Sequence, residues 1–290
     1  MGSRAAVIVS GGGSISPFTT PNAACAQGLA AGSTDTALRA ALLDSGVETY
    51  TAPVTVGAGQ ADADPGWSGF AEPPIVLPAD MTVDSIGEVE ASAARLARFL
   101  LYLHEEYGVR DVDIVGHSLG GVLSRSAHMQ LQAAEAPVRV ISLTSIGTPW
   151  LGSFVRHYDL ETMPMPEPAR SYAYSLMGAM RQGGRLVATP GAPPVWSTGK
   201  EHGLDGLALT RIAGAYFTGD DEPYPHDGMA SRSSTWAVDA DPVVLPPADC
   251  HEVPDVHSLY FTEVMGLPPE RSITWDPVVL GLVVSAVRSA

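Results

Sequence analysis

The chain has 290 residues, of which 45% are apolar, enough for one domain with a full hydrophobic core, with or without an insertion. Its formal net charge is −16, which argues against nucleic acid and anionic membrane surfaces as partners and suits a neutral substrate. No apolar run approaches the roughly 20 residues that a membrane span requires, so we predict no integral membrane segment.

The first third of the chain predicts an alternation of strands and helices. Apolar runs predict strands over residues 5–9 and 47–52, and helical spacing closed by Gly46 predicts a helix over 35–44. Three glycines follow the first strand, but the lysine and the spacing of a phosphate-binding loop are absent. Residues 57–80 are rich in Gly, Pro and Asp, which predicts a long surface loop anchored by Trp67 and Phe70, with a pocket wall as the alternative role of these aromatics.

A long amphipathic helix is predicted next. Ser85-Ile86-Gly87-Glu88 has the pattern of a capping box, and apolar residues at helical spacing continue to Tyr107-Gly108, where the helix ends. An apolar, β-branched strand then leads into Gly-His-Ser-Leu-Gly-Gly at 116–121, and a helical pattern continues to about Ala134. Strand, Gly-x-Ser-x-Gly and helix in this order are the context of a nucleophile elbow.

The elbow predicts a reactive serine. A turn this sharp lifts the Ser118 side chain above the end of the strand, and Gly116 and Gly120 are small enough for strand and helix to pack closely. The N–H groups that open the helix point at any negative charge that develops near Ser118. We therefore interpret Ser118 as a nucleophile, the alternative being a bystander in a tight turn.

The second half of the chain continues the alternation with one interruption. Strands are predicted over 138–143, before Gly147-Thr148-Pro149-Trp150, over 210–216 and over 242–245, and Asp276-Pro277 predicts the start of the terminal helix. Residues 151–205 break the pattern, because Met163–Pro168 cannot form a helix interior and only 172–180 fits a short amphipathic helix. The alternation predicts an α/β fold with a mostly parallel sheet covered by helices on both faces.

Around Ser118 the chain resembles the α/β-hydrolase family, and within it the small bacterial lipases and esterases, from Val7 to about Val287. The resemblance implies a single α/β-hydrolase domain over 1–290, in which 151–205 is a lid-like or cap-like insertion. An ordinary excursion with its own small core is the alternative.

The resemblance also implies an oxyanion hole and a substrate pocket. The N–H of Leu119 and one N–H from the loop after the first strand would hold the oxyanion. We assign the second donor to Gly12, with Gly13 as the neighbouring candidate, although Ser10-Gly11 stands where many relatives have His-Gly. His117 and Trp150 are expected to contact the substrate.

The family's order of catalytic residues is serine, then acid, then histidine. The acid candidates after the strand at 210–216 are Asp220, Asp221, Glu222 and Asp227, and Asp227-Gly228-Met229 resembles the lipase sequence best. His251 and His257 compete for the base, and the apolar turn after His257 favours it. His117 and His226 are not expected to act as bases.

These residues predict a serine carboxylic-ester hydrolase, a lipase or esterase that acts on a small-molecule or lipid ester without a metal or cofactor. An acyltransferase, thioesterase or amidase would use the same residues. A non-catalytic binding protein of the same fold is the alternative from another class.

The two cysteines, Cys25 and Cys250, lie in polar or small-residue loops, which favours a disulfide between them over two buried thiols. A disulfide favours a secreted protein. No signal peptide precedes the first strand, but Met1-Gly2-Ser3 is compatible with the replacement of a leader. We therefore expect secretion, with a cytoplasmic location as the alternative.

Overall fold

A computed structural model describes residues 3–21, 35–61, 75–153, 165–182, 202–220 and 223–290. The strands are β1 (Ser3–Val9), β2 (Thr49–Thr51), β3 (Val54–Thr55), β4 (Val83–Asp84), β5 (Val109–His117), β6 (Arg139–Ile146), β7 (Ala208–Gly214) and β8 (Asp249–Val253). The helices are α1 (Thr36–Asp44), α2 (Val89–Tyr107), α3 (Leu119–Ala133), α4 (Ala169–Gln182), α5 (Arg232–Trp236), α6 (Leu259–Met265) and α7 (Pro277–Ser289), and a 3₁₀ turn spans Pro269–Arg271.

Six strands form a parallel sheet in the order β2-β1-β5-β6-β7-β8, and β3 and β4 form a separate short ladder. The predicted mostly parallel sheet is confirmed. Because all six strands run in one direction, their carboxyl ends lie at one edge, where ligand sites form in open α/β sheets. The segments that follow β1, β5, β7 and β8 therefore start from the same edge.

Helices cover both faces of the sheet. Val112 and Ile114 of β5 pack into the apolar cluster that contains α2 and α3, whereas Val115 packs into the second cluster, which contains α1 and α7. Alternate residues of a strand point to opposite faces, so a central strand of this sheet has to be apolar on both. This explains why β5 has apolar residues on both faces, at Val112, Ile114 and Val115.

Two sequence predictions are wrong, the cap of α2 and the strand over 242–245. Ser85 does not cap α2, because its N–H donates to Thr55 O and thereby extends the β3–β4 ladder, its hydroxyl donates to Ser14 O, and Glu88 occupies the N-cap position. The run 242–245 is a turn instead of a strand, since the N–H groups of Val244 and Leu245 both donate to Asp241 O.

The last strand is β8, which pairs with β7 at the edge of the sheet. Its sequence is Asp-Cys-His-Glu-Val, and only its final residue is buried. It therefore lacks the apolar signature by which the other strands are recognised.

Other expectations are confirmed. The α1 helix ends before Gly46, which has φ +76°; α2 ends at Gly108; and Asp276 caps α7 by accepting from the N–H groups of Val278 and Val279. Within the predicted insertion, α4 includes 172–180, and its Ala169 and Ala173 are buried. Trp67 and Phe70 lie outside the described residues, as do 154–164 and 183–201, so the lid or cap stays a prediction.

Candidate active site

Ser118 occupies a sharp turn between β5 and α3. Its backbone angles are φ 53° and ψ −126°, a region that L-residues rarely adopt. Its N–H donates to Ile146 O at 2.8 Å, which ties the turn to the neighbouring strand β6. The side chain is half-buried at the carboxyl edge of the sheet. These are the local features of a nucleophile elbow.

Glycines on both sides of Ser118 allow this turn. A Cβ atom on Gly116 would lie 2.7 Å from the Cα of Gly121, and one on Gly120 would collide with the carbonyl oxygen of Val9. Strand β5, helix α3 and the end of β1 therefore approach each other at backbone distance. A larger residue at either position would push α3 away from the sheet.

The loop after β1 lies directly against Ser118. A Cβ atom on Gly11 would be 2.6 Å from the Cβ and 3.3 Å from the Oγ of Ser118. Gly12 follows in a turn and is half-buried, while Gly13 is exposed with φ +77°. The loop expected to provide the second oxyanion donor therefore contacts Ser118. That Gly12 is this donor stays a prediction.

Leu119 is the first residue of α3, so its N–H has no acceptor within the helix. The positive end of the helix dipole adds to the potential at this position. The role of this N–H as the first oxyanion donor also stays a prediction.

Asp227 is fully buried after β7. Its Oδ1 accepts from the backbone N–H groups of Met229 and Ala230, both at 2.8 Å. Gly228, between Asp227 and Met229, has φ +109°. Glycine is the residue that adopts such a φ without strain. The turn thus holds the carboxylate fixed and leaves Oδ2 for another partner.

That partner is His257, in the segment between β8 and α6. Its Nδ1 lies 2.7 Å from Asp227 Oδ2, and its backbone N–H donates to Asp227 O at 2.9 Å. The imidazole is 4% exposed. With Nδ1 bound to the carboxylate, Nε2 is the ring nitrogen that can take up a proton.

His117 and Trp150, which we expected to contact the substrate, are both buried. His117 Nε2 lies 2.9 Å from His257 O, and the two imidazole rings are 4.9 Å apart between centroids. The Trp150 indole donates to Ser145 Oγ at 3.2 Å. Each has a packing role in the structure, and a contact with substrate stays a prediction.

The alternative candidates lie elsewhere. His251 is in β8 and contacts Asp249 at 2.9 Å, Asp220 is exposed, and Asp221 and Glu222 lie outside the described residues. His226 is fully buried and stacks on Phe217, with a centroid distance of 4.9 Å, which is a structural position.

The predicted disulfide is not among the contacts described. Cys250 is exposed on β8, whereas Cys25 lies outside the described residues, so their pairing stays a prediction.

Within the described ranges no cluster of three or more His, Cys, Asp or Glu side chains could hold a metal ion. In the same ranges no helix has both the length and the apolar character to cross a membrane.

Sequence reasoning missed one polar pair beside the site. The Ser10 hydroxyl donates to Asp35 Oδ2, and both residues are buried. Burial raises the pKa of the Asp35 carboxyl to about 6. Only the position of Ser10 before the glycine loop could have drawn attention to it, since Asp35 reads as an ordinary helix N-cap.

Comparisons with known proteins bear on the elbow segment and on the fold. Residues 78–185, which include the elbow, match the profile of the family described as "Putative serine esterase (DUF676)". No curated protein matches the chain in sequence.

Two solved structures are similar in fold. An esterase of Pyrobaculum calidifontis is 14% identical, with a TM-score of 0.51, over 100% of this chain and 78% of the other. A lipase of Bacillus licheniformis in its propeptide form is also 14% identical, with a TM-score of 0.51, over 97% of this chain and 50% of the other.

The chain has the α/β-hydrolase fold. Because the serine esterase profile matches the segment of this α/β-hydrolase that carries Ser118, the protein is a serine ester hydrolase. The six-stranded sheet of this α/β-hydrolase is the scaffold that brings the segments after β5, β7 and β8 to one edge.

Proposed function

We propose that the protein hydrolyses carboxylic esters through a triad of Ser118, His257 and Asp227 and an acyl-enzyme on Ser118. One observation supports this most strongly. A buried carboxylate and an imidazole lie 2.7 Å apart at the edge of the sheet where Ser118 stands, and the imidazole segment contacts the residue next to Ser118.

Each residue has a defined part in the proposed reaction. The Ser118 hydroxyl is not nucleophilic at neutral pH unless a base takes its proton, and His257 Nε2 is the base. Ser118 Oγ bonds to the ester carbonyl carbon while His257 receives the proton. The protonated imidazole then gives this proton to the departing alkoxide, so the alcohol leaves and the acyl group remains on Ser118.

Water completes the cycle. His257 removes a proton from a water molecule, which attacks the acyl carbonyl, and the proton passes to Ser118 Oγ as the acid leaves. Asp227 keeps Nδ1 protonated and stabilises the imidazolium that forms in both halves. Its two backbone hydrogen bonds hold the carboxylate for this task.

The negative charge on the carbonyl oxygen requires donors that are in place before the reaction. We assign this task to the N–H groups of Leu119 and Gly12, and loss of one such donor raises the barrier by about 3 kcal/mol in serine hydrolases. The proximity of Gly11 to Ser118 supports the assignment of the loop, since the next residue can reach the same carbonyl oxygen.

The proposal is tested with p-nitrophenyl esters from acetate to palmitate, using the parent and Ser118→Ala. The parent is expected to release p-nitrophenol, and the variant to lose at least about 10³-fold in kcat. His251→Ala serves as the matched histidine control, because His251 pairs with Asp249 on β8 and should leave kcat unchanged.

The preferred acyl length assigns the protein to the esterases or to the lipases. If the folded parent released no p-nitrophenol from any ester, ester hydrolysis would be rejected and acyl transfer or amide cleavage would become the next hypotheses. If Ser118→Ala kept its activity, the nucleophile assignment would be wrong.

A further inference from the structure

One side chain connects the segment of the nucleophile to the segment of the base. His117 is the last residue of β5 and precedes Ser118, and it is 3% exposed. Its Nε2 lies 2.9 Å from the backbone oxygen of His257, and the two rings are inclined by 40° with centroids 4.9 Å apart. This contact therefore links β5 to the His257 segment.

The contact fixes the tautomer of His117. A carbonyl oxygen only accepts hydrogen bonds, so Nε2 carries the hydrogen and donates it. The other nitrogen, Nδ1, is buried and has no hydrogen-bond partner among the described residues. The neutral ring leaves only a lone pair at Nδ1, whereas a protonated ring would leave an unpaired N–H and a charge buried beside His257.

The surroundings keep His117 neutral. Burial, followed by repulsion from His257, lowers the pKa of its imidazole to about 3. The ring of His117 is therefore neutral at neutral pH. It contributes a hydrogen bond of constant strength and adds no positive charge that would oppose protonation of the base.

The backbone of His257 is held from both sides. Its N–H donates to Asp227 O at 2.9 Å, and its C=O accepts from His117 Nε2 at 2.9 Å. The first bond orients His257 relative to the acid. The second is the one that orients it relative to the strand of the nucleophile.

We propose that His117 is a positioning residue, whose Nε2–H···O=C bond to His257 sets the distance between the base and Ser118. The proposal rests on the proposed function of Ser118 and His257. It assigns His117 a different role from the substrate contact expected from the sequence. Displacement of a reacting group by about 1 Å lowers a rate by about 100-fold, so one hydrogen bond at this place has a large kinetic effect.

Two amide variants test the bond. In His117→Gln the amide nitrogen is about as far from the backbone as Nε2 of histidine and can still donate to His257 O. In His117→Asn the same amide is one methylene shorter and cannot reach. We expect His117→Asn to lower kcat about 100-fold with little change in KM, and His117→Gln to stay within about tenfold of the parent.

A second buried histidine provides the control. His128 in α3 is 4% exposed, and burial lowers its pKa to about 4. Within the part of the chain that the structure describes, its Nε2 has no hydrogen-bond partner. His128→Asn therefore makes the same change at another buried histidine, which lies in α3 and, among the contacts of the described residues, has no hydrogen bond to His257. It should lower stability and leave kcat per folded protein unchanged, with the folded fraction measured by circular dichroism.

The proton between His257 Nδ1 and Asp227 Oδ2 gives an independent readout by nuclear magnetic resonance. Its resonance should persist in the parent, His117→Gln and His128→Asn, and shift or broaden in His117→Asn, because the freed segment no longer holds the imidazole against Asp227. A purely structural role would lower the folded fraction of both His117 variants equally and would leave this resonance and kcat per folded protein unchanged.

The outcomes separate this proposal from the one on which it rests. An inactive parent, in which a fluorophosphonate does not label Ser118, would reject the triad itself. An active, labelled parent whose His117→Asn variant has the same kcat and the same resonance would overturn the positioning role alone. Equal losses of kcat in His117→Asn and His117→Gln would also overturn it, because the length of the side chain would then have no effect on the rate.

Discussion

At the scale of single residues, the site depends on a serine held in an unfavourable backbone conformation. The positive φ of Ser118 costs on the order of 1–3 kcal/mol, which the surrounding structure has to offset. The hydrogen bond to Ile146 and the close packing of Gly116 against Gly121 do so. The serine is therefore held in place before a substrate binds.

Gly11 offers a direct test of this close packing. Gly11→Ala places a methyl carbon 2.6 Å from Ser118 Cβ, so Ser118 or the loop has to move. We expect kcat/KM for a p-nitrophenyl ester to fall by about 100-fold or more while the protein still folds. Gly59→Ala is the control, since no atom of the described residues lies within 4 Å of its added carbon, and it should keep full activity. Equal activities of the two variants would contradict the placement of the loop.

Asp35 makes stability depend on pH. Because burial raises its pKa to about 6 from 3.8, the folded protein holds a proton between these values that the unfolded chain has released. The free energy of unfolding therefore falls as the pH rises between these two pKa values, and the loss is complete above the higher one. It amounts to about 2–3 kcal/mol.

Asp35→Asn removes this dependence, because an amide does not ionise and can still accept from the Ser10 hydroxyl. Compared with the parent, the variant should gain about 2 kcal/mol in the free energy of unfolding at pH 7.5 and much less at pH 4.5. Urea denaturation at both values measures the difference. A gain of the same size at both values would show that the carboxyl does not titrate between them.

At the scale of elements, sequence patterns predicted those strands and helices whose burial follows a regular period. β5 and α2 are such elements, and Asp276-Pro277 marks the start of α7 by side-chain chemistry alone. β8 was missed because an edge strand with one buried residue carries no apolar period. The capping box failed because a tertiary contact, the β3–β4 ladder, used the backbone of Ser85.

Two glycines at helices should respond oppositely to the same substitution. Gly281 is exposed within α7, and Gly266 caps α6 with φ +67°. At either position an added Cβ meets no atom of the described ranges within 4 Å. Gly281→Ala should raise the free energy of unfolding by about 0.5–1 kcal/mol, because alanine loses less backbone entropy in a helix.

Gly266→Ala should lower the free energy of unfolding by about 1 kcal/mol, because an L-residue is strained at this φ. Urea denaturation of both variants measures whether each substitution raises or lowers the free energy of unfolding. The same sign for both would mean that backbone conformation does not control stability at these helices.

At the scale of the whole molecule, an ion pair with a buried carboxylate joins both chain ends to the central strand β5. Arg4 Nε lies 2.7 Å from Asp113 Oδ2, and the same guanidinium donates to the backbone oxygens of Val287 and Ala290. The carboxylate is completely buried, whereas the Arg4 side chain is 38% exposed. This contact lies toward the amino end of β1, away from Ser118.

Arg4→Met should lower the free energy of unfolding by about 2–3 kcal/mol, because it leaves the Asp113 charge buried without its counter-ion. Adding Asp113→Asn should restore part of the loss, since the amide carries no charge and can still accept from Ser142. Denaturant unfolding of the single and double variants measures both effects, and kcat per folded protein should not change. A double variant less stable than Arg4→Met would contradict the account.

The sequence predicted the components of the candidate site but not how they are arranged. Ser118, Asp227 and His257 stand out by local motifs and by their order along the chain, which is why they could be proposed without a structure. The contacts of His117 with His257 and of Ser10 with Asp35 join residues 140 and 25 positions apart, and no local pattern encodes such pairs.

The central claim is that Ser118 forms the covalent intermediate. It is tested most directly by reaction with a fluorophosphonate, followed by digestion with trypsin and mass spectrometry of the peptide Asp111–Arg125. The account predicts one phosphonyl group per molecule on Ser118, formed together with the loss of esterase activity, and no label in Ser118→Ala. An active enzyme that remains unlabelled, or that carries its label on another residue, would contradict it.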